Sequence, residues 1–379
     1  MDLKVLHLID TLKPNSIPWF YNLIDNTPET ETFLSAWNTY YRPPKHKLIP
    51  FYLKESQTTG IAVDLLNMLI RYYRKVFYPG SIAKYASEVD IVHCHFAHVG
   101  WENLKFKKLI DVPYFVSFYG YDYESIPFKY PEWKAKYLNL FQEADVILAE
   151  GPFGGQKLVD MGCPKHKVKI SKLGVNTNQI PFYNRQKLSG ELNLLQIAAF
   201  REKKGQYFAI QAFLSALEDC PNMTLTMVGE DQDNRTDYFK STIPKEHIKK
   251  VRFIDRMDFS RIYEFMSNYH VFIHPSCYSG DRDCEGGAPI VLLDAQATGM
   301  PIISTKHCDI PTEVIHKKTG ILVDEKDIGG LAESITTFYK MNQQEFEEYS
   351  DNAKRHVLEN FDVKQCAEDL VKHYWNELQ

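Results

Sequence analysis

The chain has 379 residues, 44% hydrophobic and 25% charged, without a low-complexity tract; this excludes a disordered protein and suits two domains better than one core. No run of about 18 apolar residues occurs, which excludes a spanning helix, and the seven cysteines lack CxxC or paired spacing, which suits a reducing cytoplasm rather than a disulfide scaffold. The net charge of −5 divides as +4 over residues 1–185 and −9 over residues 186–379, a distribution that argues against nucleic-acid binding and leaves the basic half suited to an anionic lipid or acceptor, or to ordinary scatter.

The first residues, MDLKVLHLID, predict a strand over 3–9 and, lacking a basic lead and a small-residue cleavage site, do not read as a signal peptide. Further apolar runs predict strands at 91–95, 114–118, 146–149 and 168–170, with helical patterns at 61–77 and 133–143. The second half repeats the scheme. Strands are expected at 192–199, 224–228, 251–254, 271–274, 302–304 and 321–323, and helices at 206–217, 260–268, 290–298 and 328–340. Such alternation implies α/β architecture: two doubly wound, Rossmann-like domains with a cleft between them, ligands binding beyond the carboxyl ends of the strands. The polar stretch NQIPFYNRQKLSGE, residues 178–191, predicts the boundary, giving domains over 1–180 and 190–360. Residues 361–379 have helical spacing at Val363, Cys366, Leu370, Val371, Tyr374 and Trp375 and are expected to pack back on the N-terminal domain.

The segment DCEGGAPIVLLDAQATGMP, Asp283–Pro301, follows a predicted strand ending in His274. Pro289 suits the first position of a helix. A helix start offers unpaired N–H groups and partial positive charge to a diphosphate, and Gly286 and Gly287 let a ligand approach backbone without a Cβ in the way. Glu285 and Asp294 offer carboxylates to sugar hydroxyls. An ordinary capped strand-loop-helix is the competing reading of these residues alone.

The segment resembles the signature of glycosyltransferase family 4, retaining enzymes of the GT-B fold: a Glu, a small-residue turn, a second acid on the next helix, then A-x-A-x-G-x-P. Here these are Glu285, GGAP, Asp294 and AQATGMP. LNLLQIAAFREKKGQYFAIQAF at 192–213 and ISTKHCDIPTEVIHKKTGILV at 303–323 resemble the flanking family elements, and HCHFAH at 93–98, SFYGYD at 117–122 and LGVNT at 173–177 resemble landmarks of the first half. The resemblance implies an N-terminal acceptor domain and a C-terminal nucleotide-sugar domain. It implies that Glu285 binds the donor sugar, Asp294 the ribose, and Gly286, Gly287 and Ala288 the phosphate and sugar. Lys204 is implied to neutralise the departing diphosphate, a charge that grows in the transition state. His274 is expected at the donor site, with Tyr119, Gly120 and His95 on the acceptor side and Asp122 as a further catalytic carboxylate.

The match departs from the family pattern at several points. Eight residues separate Glu285 from Asp294 where the family has seven, and the second acid is Asp. Ala199 stands where the family has Arg, so Arg201 is the expected substitute on the same strand face. Tyr119 stands where His is frequent, and the first glycine-rich loop is replaced by KPNSIPW, Lys13–Trp19.

No metal and no cofactor is expected. His93, His95 and His98 lack a matched carboxylate motif, and the spacings of His274, Cys277, Cys284, His307 and Cys308 match no zinc finger. EDQD, Glu230–Asp233, reads as a solvated loop, and the basic amphipathic stretch at 65–80 as a packed helix or a membrane-surface one. The expectation is a cytoplasmic hexosyltransferase, possible at the inner membrane face, moving sugar from a UDP- or GDP-sugar to a glycan or lipid-linked glycan in polysaccharide biosynthesis. The alternatives are a nucleotide-sugar epimerase on a GT-B scaffold, drawing on Asp122 and Glu124, and a non-catalytic nucleotide-sugar-binding subunit.

Overall fold

Thirteen strands, most of them short apolar segments, lie among the residues that a computed structural model describes: 2–13, 17–41, 43–49, 60, 62–70, 72–73, 85–231, 234–255 and 257–379. The chain divides into two units, Met1–Leu173 with Lys364–Gln379, and Gly174–Val363. In the first lie β1 (Leu3–Leu12), β2 (Thr30–Thr39), β3 (Lys47–Leu48), β4 (Ile91–His95), β5 (Tyr114–Phe118), β6 (Val146–Ala149) and β7 (Val168–Ile170). They form one parallel sheet in the order β3-β2-β1-β4-β5-β6-β7. In the second lie β8 (Leu192–Ile197), β9 (Met223–Val228), β10 (Val251–Ile254), β11 (Val271–His274), β12 (Ile302–Thr305) and β13 (Gly320–Val323), parallel and ordered β10-β9-β8-β11-β12-β13.

Successive residues of a strand point to opposite faces, and helices cover both. Leu192 and Leu194 of β8 pack with the helices Gln206–Ala216 and Ile328–Lys340, whereas Leu195 and Ile197 face the opposite core, with the helices Ile262–Met266 and Ile290–Ala297. The order reverses between β8 and β11. Helices run to opposite faces from those two strands, which opens a crevice at their carboxyl ends.

Residues Ala367, Leu370, Val371 and Tyr374 of the helix Val363–Leu378 join Leu3, Val5, Ile91 and Phe115 in one core cluster of the first unit. The Tyr374 hydroxyl is 2.6 Å from His93 Nδ1. Trp375, expected on the apolar stripe, is 40% exposed. β2 escapes the sequence patterns because TETFLSAWNT mixes Thr, Glu, Ser and Asn into a largely buried strand. The helix Gln343–Asn360 was likewise not expected, although Asn342 and Glu345 form a capping box at its start.

Within residues 178–191, much of which is exposed, Arg185 and Lys187 are buried. Arg185 donates from Nε to Tyr269 O at 2.7 Å, from a terminal nitrogen to Thr298 Oγ1 at 2.9 Å, and to the carbonyls of Thr298 and Met266. Lys187 donates to the carbonyls of Tyr339 at 3.1 Å and Met341 at 3.0 Å. These polar residues read as linker because their partners lie far along the chain. Replacing Arg185 by Met leaves several buried carbonyls without donors. It is expected to lower the unfolding free energy by about 3 kcal/mol, read as a lower urea midpoint; an unchanged midpoint would show that the guanidinium is dispensable.

Candidate active site

The crevice of the second unit is built from three turns. After β8 the chain passes Arg201, makes a tight turn over Glu202–Lys204, and enters the helix Gln206–Ala216 through Gly205 at φ +68°. A Cβ at Gly205 would lie 1.9 Å from the Pro275 carbonyl oxygen, so only glycine allows this approach to the end of β11. Gln196 Nε2 donates to Lys204 O at 2.7 Å, and Cys277 N–H donates to Lys203 O at 3.0 Å, tying the turn to β8 and to the residues after β11.

Glu285 closes the constellation. Its Oε2 accepts from Lys204 Nζ at 2.6 Å, its Oε1 from Ser276 Oγ at 2.9 Å, and His274 Nε2 lies 3.4 Å from Oε1. Burial by itself raises the Glu285 pKa. The Lys204 ammonium overrides it and, with the His274 hydrogen bond, holds the carboxyl well below its usual range. Burial lowers Lys204, and the Glu285 carboxylate opposes that fall. Burial also lowers His274, so it stays neutral at neutral pH and helps to hold Glu285. Beside the pair, Asp283 accepts from Arg201 at 2.8 Å and from Lys203 Nζ at 3.0 Å, and Lys203 also donates to Cys284 O at 2.7 Å. Three cations, Arg201, Lys203 and Lys204, therefore meet the carboxylates of Asp283 and Glu285 here.

The eight-residue spacing from Glu285 to Asp294 is absorbed in the turn. Gly286 adopts φ +81°, and the helix begins at Ile290, with Pro289 as its N-cap rather than its first helical residue. Glu285 thus keeps its contact with Lys204. Gly287 is buried and Ala288 partly buried in this turn. Asp294 Oδ1 accepts from Tyr263 OH at 3.0 Å. Arg201 departs from expectation: β8 ends at Ile197, so Arg201 sits on the turn and faces Asp283 instead of extending a strand face beside Glu285.

Sequence patterns missed Ser276, Lys203, Asp283 and Tyr263. Ser276 and Lys203 flank residues that were singled out, so proximity was their one available signal. Tyr263 had none.

In the first unit the acceptor-side residues form a buried network. His95 has no exposed surface; it does not line a crevice but supports Tyr119, whose hydroxyl is 3.0 Å from His95 Nδ1. His7 Nδ1 lies 2.9 Å from His95 Nε2, and His93 Nε2 is 2.7 Å from Ser117 Oγ. Burial lowers the pKa of all three imidazoles, which are therefore neutral. Gly120 is buried at the start of the one-turn π-helix Tyr121–Ser125. Asp122 has no exposed surface, and its Oδ2 accepts the Tyr119 N–H at 2.9 Å. Glu124 is paired with Lys157 at 2.8 Å and its side chain is 5% exposed. Neither acid of the epimerase alternative is therefore open to a substrate in this arrangement, and the reach of Asp122 to a reacting atom is not met by its burial. In the Asp-rich loop, Asp231 accepts the N–H groups of Arg235 at 2.7 Å and Thr236 at 3.0 Å, which places it as a helix-start partner. Residues 232–233 of that loop and 14–16 of KPNSIPW lie outside the described residues, as do 71 and 74–80 of the basic stretch.

Burial pushes the Asp122 carboxyl from 3.8 to about 6. The folded protein therefore binds a proton more tightly than the unfolded chain, and this contribution to stability is full below pH about 4 and lost as pH rises through about 6. Asp122→Asn is expected to remove up to about 3 kcal/mol of that pH dependence, measured as a flatter urea-midpoint profile between those values. A wild-type profile in the variant would contradict it.

Residues 182–356 match the family described as glycosyl transferases group 1. The amylovoran biosynthesis glycosyltransferase AmsK of Erwinia amylovora is 27% identical over 264 residues, covering 68% of this chain and 64% of that protein's own length. The fold is similar to that of a glycosyltransferase from Rickettsia africae (TM-score 0.76, 16% identity, 100% of this chain and 99% of that one). It is also similar to Anabaena HepE, solved with UDP and glucose (TM-score 0.72, 16% identity, 99% and 100%). With two parallel Rossmann-like sheets, a Lys–Glu pair at the switch point of the second and a match to the group 1 glycosyl transferases confined to residues 182–356 of that unit, the chain has the GT-B fold.

Proposed function

We propose that the protein transfers a hexose, with retention, from a UDP- or GDP-sugar to a glycan or lipid-linked glycan acceptor in polysaccharide biosynthesis. The Lys204–Glu285 pair at the carboxyl ends of β8 and β11 carries this reading. One of the three ammonium N–H donors of Lys204 is given to Glu285, and the others are available to a diphosphate. As the glycosidic bond breaks, negative charge grows on the departing phosphate, and a cation already held in place stabilises that state more than the ground state. Lys203 and Arg201 add to the positive field, while Asp283 limits their motion. Glu285, ionised and oriented by Ser276, accepts hydrogen bonds from donor-sugar hydroxyls. The backbone of Gly286, Gly287 and Ala288 receives the phosphate and sugar, and Asp294, steadied by Tyr263, takes the ribose. No protein nucleophile is invoked, and the transfer itself requires no metal.

Lys204→Ala and Glu285→Ala are each expected to lower kcat/KM by roughly 100-fold or more, with donor binding followed by thermal shift against UDP, GDP, ADP and their sugars. Unchanged turnover in both variants ends the assignment. Donor binding without transfer to any acceptor would point instead to a binding subunit.

A peripheral membrane contact belongs to the same proposal. Leu65, Leu66, Met68 and Leu69 on the helix over residues 62–70 are each more than half exposed, an unusual face for water. Among the described residues no helix is long and apolar enough to cross a membrane. Leu66→Asp with Leu69→Asp is expected to reduce co-sedimentation with anionic lipid vesicles several-fold; sedimentation equal to wild type would remove the contact from the proposal.

A further inference from the structure

Beside the Lys204–Glu285 pair lies a second cluster that the transfer chemistry does not use. Cys284 immediately precedes Glu285, while His307 and Cys308 follow β12. Their ligand atoms all lie within 4.8 Å of one another. Cys284 is 1% exposed and His307 has no exposed surface. His307 Nε2 is 3.2 Å from Cys308 Sγ, a separation near the edge of a tetrahedral sulfur–nitrogen site.

The surroundings fit a metal ligand as well as the three groups themselves do. His307 Nδ1 is 2.6 Å from Glu325 Oε1, and Glu325 Oε2 accepts the Tyr278 N–H at 3.0 Å. A carboxylate held in this way accepts the Nδ1–H hydrogen bond and leaves Nε2 as the acceptor nitrogen of the ring, the tautomer that orients imidazoles on metals. Nε2 accepts a long hydrogen bond from the Glu285 N–H, at 3.2 Å, which a bound ion would replace. Cys308 is held at φ +47°, a conformation uncommon for a residue with a Cβ, which turns its side chain back beside His307. A thiol-thiol contact explains the two sulfurs but not the His307–Glu325–Tyr278 relay behind them.

We propose that Cys284, His307 and Cys308 bind a zinc ion, with water at the fourth position. Two thiolates and a neutral imidazole balance the charge of a divalent ion, so the complex is neutral and cheap to bury. Binding converts both thiols to thiolates and releases their two protons to solvent. The ion would cross-link the loop that carries Glu285 to the loop after β12, and its role is to pin that loop. The inference goes beyond the transfer reading and survives its failure, because it concerns metal binding and not turnover.

The test uses full-length protein, kept reduced, loaded with zinc or cobalt(II) and freed of excess metal. Stoichiometric zinc by mass spectrometry, a thiolate-to-cobalt charge-transfer absorption and release of protons on loading are expected. Cys308→Ser should abolish the absorption, and Cys366→Ser, which alters a buried thiol of the helix Val363–Leu378, should leave it intact. Should Cys308→Ser fail to fold, Glu325→Gln serves, with zinc affinity expected to fall about 10–100-fold. Folded wild type without the absorption, an absorption that survives Cys308→Ser, or a Cys284–Cys308 disulfide formed in place of metal binding would each overturn the site.

Discussion

The ion pair between Lys204 and Glu285 is the constraint around which the second unit is arranged. A carboxylate and an ammonium out of water are costly unless each is matched, and here Ser276, His274 and the neighbouring Asp283 with its two cations supply the matching. The pair joins residues 81 positions apart, so it exists only because β8 and β11 are adjacent and parallel. Parallel pairing puts both carboxyl ends on one edge, and the reversal of strand order there keeps helices from filling the space.

Backbone geometry holds the pair in register. Gly205 brings the turn after β8 to van der Waals distance of Pro275, and Gly286 absorbs the extra residue between Glu285 and Asp294. Each glycine therefore sets where a charge sits. The same loop carries Cys284, so whatever fixes that thiol also fixes Glu285. Preorganisation of this kind is what lets a fixed cation favour a developing phosphate charge, since little reorganisation is left for the moment of bond breaking.

The first unit uses burial differently. His7, His95 and Tyr119 form one neutral hydrogen-bonded set and His93, Ser117 and Tyr374 another, covered in part by the helix Val363–Leu378. Such a network favours one arrangement of its members, because any rotation leaves a buried polar atom unpaired. It explains why His95, expected on the acceptor side, lies beneath the surface; Asp122, expected as a catalytic carboxylate, is buried under the Tyr119 N–H.

Local pattern in the chain was enough for the α/β alternation, the donor-side turn with Glu285 and Gly286, the Lys204 turn and the amphipathic C-terminal helix. Each is encoded within a few neighbouring residues, as periodicity, turn chemistry or a family motif. Only the tertiary structure decided which distant groups meet: Lys204 with Glu285, Arg201 with Asp283, Asp294 with Tyr263, and Cys284 with His307 and Cys308. It also decided which titratable groups lose their water and which of them gain a cation, and hence that burial raises Asp122 while Lys204 holds Glu285 down. Strand order and desolvation are properties of the packed chain, and neither leaves a mark in local sequence.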